Sequence, residues 1–146
     1  MTAMATDDPY DLQRFVTAQD AGGTYQHALA ELRAGRKTSH WMWFVFPQLA
    51  GLGHSGMAQR FAMSGLEEAR AYVAHPTLGR RLVESARALT DLDTADANRV
   101  LGPVDAQKLR SSMTLFARAA PDEPVFREVL DHYFDGTEDD ATTNRL

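Results

Sequence analysis

Apolar residues recur at three- and four-residue spacing in stretch after stretch of this chain, and each stretch is bracketed by residues that start and stop helices. That pattern confines the fold to packed helices. Asp8-Pro9 reads as an N-cap and first helical position, and Leu12, Phe15, Val16 and Gln19 then share a face. A helix is predicted from Pro9 to Asp20, ended by Ala21-Gly22-Gly23. Thr24 caps a second, with Tyr25, Ala28, Leu29 and Leu32 as its stripe and Gly35 as its stop. Ser55 to Met63 forms a short helix. Ser64 with Glu67 is a capping box ahead of Leu66, Ala69, Tyr72 and Val73. His75-Pro76 breaks that helix and opens the next, which runs to Leu92. Thr94 caps a short piece ending at Gly102. Pro103 to Ala119 carries Leu109, Met113, Leu115 and Phe116. Asp122 and Pro124 open the last strong helix, and Gly136 ends it.

Trp41 to Phe46 is too short for periodicity to separate strand from helix. No other segment offers it a strand partner, and a lone strand would leave its backbone unpaired. A short helix capped by Ser39 is therefore expected. The sum is an all-α, irregular bundle of seven or eight short helices, a single domain over residues 1–146, with 1–7 and 138–146 frayed.

Composition narrows the function classes. With 146 residues the chain can bury a real core without disulfides or a structural metal. It has no cysteine, which excludes a disulfide framework, a thiol nucleophile, a thiolate zinc site and an iron–sulfur cluster. Histidine pairs at metal-ligand spacing are missing, so neither metal nor cofactor is expected. A nucleophile elbow of the Gly-x-Ser-x-Gly type is missing too. The N-terminus carries Asp7 and Asp8 and no apolar run, and the longest apolar stretch falls far short of the roughly 20 residues that span a bilayer. A soluble, cytoplasmic protein without a membrane partner is expected. The net charge of −5 argues against a general nucleic-acid binder.

Charge is unevenly spread. From Arg33 to His54 the ionisable residues are Arg33, Arg36, Lys37, His40 and His54, with no acid among them. The same stretch holds Ser39, Trp41, Trp43, Gln48 and the glycines Gly51 and Gly53. If Ser39 caps a helix, the free amides of its first turn make an anion site beside Arg36 and Lys37, and Trp41 or Trp43 can stack on a base or sugar. The bland alternative is an aromatic core helix beside a solvated helix end. A second cluster, Asp105, Lys108, Ser111 and Ser112, shares one helix face. It reads either as an ion pair with tight packing or as a polar pocket wall. A third, His75 with Arg80 and Arg81, opens a helix, where Arg80 could reach a phosphate. His27 and His132 read as surface residues. The acidic stretch Asp122 to Asp140 reads as solvated surface.

Taken together, Gly35-Arg36-Lys37-x-Ser39-His40-Trp41-Met42-Trp43-Phe44-x-Phe46-Pro47-Gln48, Gly51-Leu52-Gly53-x-Ser55, His75-Pro76-x-Leu78-Gly79 and Lys108-x-x-Ser111-x-Met113-Thr114-Leu115-Phe116 resemble the bacterial family called domain of unknown function 1810. Leu12-x-Arg14-Phe15-x-x-Ala18-Gln19 and Leu130-x-x-Tyr133-x-x-Gly136 fit as well, so the resemblance covers nearly the whole chain. It implies a mainly helical fold and no established activity. The calpastatin label that some members carry belongs to disordered inhibitors and does not suit this globular composition. Thr38 stands where many relatives carry a second basic residue, which would weaken a ligand contact there.

The reading that follows is a site for a small anionic ligand, nucleotide-like or phosphorylated, formed by Arg36, Lys37, Ser39, Trp41, Trp43, Gln48, Arg80, Lys108 and Ser112. Any chemistry there, of a hydrolase or glycosidase kind, would use His40 or Asp105 as general acid or base. The alternatives are a non-catalytic protein-binding module presenting the Trp-rich segment, and single-stranded nucleic-acid binding through Arg36, Lys37 and the aromatics.

Overall fold

The computed structural model describes residues 7–146. The elements are α1 (Gln13–Asp20), a 3-10 turn (Ala21–Gly23), α2 (Thr24–Ala34), α3 (Met42–Val45), α4 (Gly56–Arg60), α5 (Leu66–Ala74), α6 (Leu78–Thr90), α7 (Ala97–Leu101), α8 (Pro103–Ala119), α9 (Val125–Phe134) and α10 (Asp140–Thr143). The fold is all-α. The helices among the described residues outnumber the seven or eight expected; α3, α4, α7 and α10 are single turns of four or five residues, and α10 falls where no helix was expected. Among the described residues, strand-like pairing is confined to one bridge, Leu49 with Met63, where each flanking amide–carbonyl bond is 2.8 Å. That bridge pins the loop after α3 beneath the start of α5.

The centre is α8. Pro103 at its first turn needs no amide partner, Asp105 suits the positive helix end, and Arg118 suits the negative one. From Ser111 to Ala117 every residue is buried, so this stretch is enclosed on all sides rather than amphipathic. It packs on α5, α7, α9 and α10. A chain of rings crosses the core from α3 to α9: Phe44, Phe61, Phe15, Tyr72, Phe116 and Phe126, with successive centroids 5.1–5.7 Å apart. Those separations and tilted planes are the favoured geometry for aromatic pairs.

Several expected caps are built differently. The first helix starts at Gln13, because Asp11 takes φ 52° and interrupts the turn after Pro9. Asp8 still caps it at a distance, accepting from the amides of Leu12 (2.8 Å) and Gln13 (2.9 Å). Thr24 caps no amide; its hydroxyl donates to the Ala21 carbonyl at 2.6 Å. Glu68, not Glu67, reaches back to Ser64, accepting from its amide and hydroxyl at 2.9 Å each. Asp96, not Thr94, caps α7. Ser55 caps α4 as expected. His75 turns out to cap α6, its Nδ1 accepting from the amides of Thr77 and Leu78.

The tail departs most from expectation. Glu138 and Asp139 are docked rather than frayed and Thr142 is buried beside them, while residues 144–146 are exposed. Glu138 receives Arg118 through two bonds of 2.8 and 2.7 Å and Arg127 at 3.1 Å. Arg110 donates to the carbonyls of Thr137 and Glu138. The fraying expected of residues 1–7 falls, apart from exposed Asp7, outside the described residues. His132 is half-buried, its Nε2 lying 2.7 Å from the Thr94 carbonyl, rather than a free surface residue.

The α5–α6 corner depends on one glycine. A methyl group at Gly79 would sit 2.0 Å from the Val73 carbonyl oxygen. Backbone cannot yield as a flexible side chain does, so Gly79→Ala is expected to cost about 1–3 kcal/mol in chemical denaturation. An unchanged midpoint would show that the corner has slack.

Candidate functional site

The polar stretch after α2 is organised by a residue outside it. Glu31, on the last turns of α2, accepts from the amides of Thr38 (2.8 Å) and Ser39 (3.0 Å), from the Ser39 hydroxyl (2.5 Å) and from the Trp41 indole N–H (2.9 Å). Burial alone would raise the Glu31 pKa, but these four donors outweigh it and hold it at about 2. Gly35, at φ 76°, turns the chain so that residues 38 to 41 fold back over the carboxylate. The Lys37 amide then donates to the Val100 carbonyl at 2.8 Å, tying the segment to α7.

This overturns the expected anion site. Ser39 does not cap α3; Trp41 stands in the N-cap position without a side-chain bond. The Ser39 hydroxyl and amide already serve Glu31. Trp41 is fully buried, and its one polar atom is engaged. It is a core residue that also locks the loop.

Three charges do converge. Lys37 Nζ lies 2.9 Å from one oxygen of Asp105, and Lys108 Nζ lies 3.6 Å from the other. Lys37 stands over Trp41 at 5.1 Å from the ring centroid, and Lys108 over half-buried Trp43 at 5.2 Å. Each ammonium thus rests on the negative face of an indole. The residues of the second sequence cluster therefore meet those of the first.

Beside Lys108 opens a cavity of about 430 Å³. Gln48, Leu52 and Gly53 supply one wall from the loop after α3. Val104, Gln107, Lys108 and Ser111 supply another from α8. Asp139 and Ala141 close it from the tail. Asp139 is buried and accepts from Gln107 Nε2 (2.8 Å) on one oxygen. Its other oxygen accepts from the Ser111 hydroxyl (3.0 Å), the Thr142 amide (3.1 Å) and the Thr142 hydroxyl (2.6 Å). The Thr114 hydroxyl accepts from the Asp139 amide. These bonds explain the run of poor helix formers on α8: Ser111 and Thr114 are there to receive the tail.

The remaining candidates separate. Arg36 and His40 are exposed, and their side chains make no hydrogen bond or ion pair among the described residues. Arg80 is exposed on α6 and lines none of the cavity described above. Its neighbour Arg81 is the engaged one, bound to Asp20 at 2.8 Å and to Gln19 at 3.2 Å. Ser112 is fully buried with an unpartnered hydroxyl and does not line the cavity. The residues that sequence reasoning missed are Glu31, Gln107 and Asp139. Glu31 had one legible signal, its place beside Leu32 at the edge of the apolar stripe. Among the described residues no group of His, Asp and Glu has the arrangement of a metal site. Nor is any described helix long and apolar enough to cross a membrane.

The fold has a solved counterpart. The chain is similar to the conserved hypothetical protein Rv1873 from Mycobacterium tuberculosis, with a TM-score of 0.92 and 49% identity over 95% of this chain and 98% of that one. No curated protein matches it. The family described as "Protein of unknown function (DUF1810)" matches residues 9–146, and the chain belongs to that family.

Proposed function

We propose that the cavity between α8, the loop after α3 and the tail binds a small anionic molecule. The observation that carries this reading is that polar residues from both sequence clusters line the cavity. Lys108 and Gln48, sixty residues apart in the chain, line one concave space of about 430 Å³. That volume lies within the roughly 300–1,000 Å³ of ordinary ligand sites. Lys108 is the cation for the ligand, because Lys37 is committed to Asp105 at close range and is nearly buried. Arg36, Arg80 and His40 are reserves on the surface, away from the cavity lining. A hydrolytic role has less support, since Asp105 is held between the two lysines and, like exposed His40, is not part of the cavity lining. A protein-binding role through exposed indoles has less support, since Trp41 is buried and Trp43 is half-covered by Lys108.

Trp43 makes the reading testable. A ligand that draws Lys108 off the indole face changes Trp43 emission. Titration with inorganic phosphate, ribose 5-phosphate, gluconate, citrate and AMP is expected to give a saturable change with at least one. Melting should rise in parallel, since a ligand at 100 times its Kd stabilises the fold by about 2.7 kcal/mol. Lys108→Gln is expected to abolish both responses while changing stability by no more than about 1 kcal/mol, the worth of a partly exposed ion pair and cation–π contact. Silence across all five compounds would sink the reading.

A further inference from the structure

The cavity has unused hydrogen-bonding capacity of a particular kind. Lys108 holds three N–H donors, and its nearest acid lies at 3.6 Å, beyond hydrogen-bond range. The half-buried Gln48 amide makes no side-chain hydrogen bond among the described residues, so its oxygen and both N–H groups are open. Gln107 spends its nitrogen on Asp139 and keeps its oxygen free. Asp139 carries three bonds on one oxygen and one on the other, which leaves an acceptor position on the latter. Apart from Ser111, whose hydroxyl serves Asp139, the remaining lining is apolar, with Leu52 and Val104, and no lining residue is aromatic.

Resting on the reading above, we infer that the molecule bound is a polyol with one anionic group, a sugar monophosphate or a sugar acid, rather than a nucleotide. A hydroxyl both donates and accepts, which is what a mixed array of two amides and a carboxylate complements. Lys108, the one cation in the cavity lining, matches one anionic group, its ion-pair contact to Asp105 being long at 3.6 Å. A nucleobase would want a ring to stack on, and the cavity offers none. The apolar Leu52 and Val104 suit the C–H face of a sugar.

The same titration, extended to neutral ribose and to Gln48→Ala, tests this. Ribose 5-phosphate or gluconate is expected to bind about tenfold tighter than inorganic phosphate or citrate, the worth of one or two added hydrogen bonds. AMP should gain nothing over ribose 5-phosphate, and neutral ribose should bind more weakly than either charged polyol. Gln48→Ala should lose about that tenfold for the polyol and leave inorganic phosphate within about twofold. Which of the two polyols binds tells phosphate from carboxylate as the head group; either result supports the class. AMP binding tighter than ribose 5-phosphate would overturn the inference while leaving an anion site in place. So would citrate or phosphate matching the polyols, or indifference to Gln48→Ala. Silence from every compound would remove the site and the inference together.

Discussion

Arg14→Ala is expected to lower the stability of the fold by about 3–5 kcal/mol, the usual cost of removing one partner from a buried ion pair. The guanidinium donates to four backbone carbonyls, those of Tyr10, Asp11, Arg60 and Ala62, at 2.6–2.9 Å. A fifth bond, 3.1 Å long, reaches Glu68, whose side chain is 4% exposed. One planar fork thus joins the turn before α1, the end of α4 and the start of α5. Arg14→Lys offers a single ammonium in place of that fork and should recover only part of the loss. The check is chemical denaturation of both variants beside the parent. A loss below about 1 kcal/mol in Arg14→Ala would mean that solvent replaces these bonds at little cost.

Glu31→Ala is expected to cost roughly 2–4 kcal/mol, because it strands the buried Trp41 N–H and the Ser39 donors together. Its effect on the candidate site should be larger than its distance suggests, since segment 37–41 loses its anchor and Lys37 with it. The sign of the pH dependence follows from two carboxylates. Glu31 and Glu138 are each held at about 2 in the fold, against 4.5 for an ordinary glutamate. At Glu138 the cause is chiefly the Arg118 hydrogen bonds, against the opposing pull of burial, with Arg127 adding to Arg118. A lowered folded pKa gives stability that is fully present above the unfolded value and is lost as pH falls through the folded one. Stability should therefore decline between about pH 5 and pH 2. Glu31→Gln should decline less over that range, its remaining slope coming from Glu138. Parallel slopes for Glu31→Gln and the parent would show that Glu31 is not held low.

The sequence disclosed those parts of the fold whose causes are local. Pro103 with Asp105 announces the start of α8, and Ala119 ends it where the periodicity stops. Gly35 ends α2 in the left-handed conformation that a glycine permits. What it concealed depends on partners far along the chain. Asp139 sits in an acidic run that reads as solvated, and only contact with Gln107 and Ser111 buries it. Glu31 looks like any acid on an exposed helix turn until the loop folds back upon it. Ser39 was a sound capping candidate by type, yet a carboxylate nearby competes for its hydroxyl better than a four-residue helix does. The candidate site was half legible for the same reason. Lys37, Asp105, Lys108 and the indoles stand out by residue type, and their convergence was open until tertiary packing was known. Arg80 carried the right chemistry on a surface facing elsewhere.

The docking of the tail also orders events during synthesis. A ribosome delivers α8 before the segment that covers its polar side, and domains begin to fold as they emerge. Until Glu138 and Asp139 leave the exit tunnel, Gln107, Ser111 and Thr114 meet water, Arg118 and Arg127 lack their carboxylate, and Arg110 lacks the carbonyls it holds. Until then the cavity has only the walls supplied by α8 and the loop after α3. Closure of the cavity is therefore a late event, following the elements that supply its other walls.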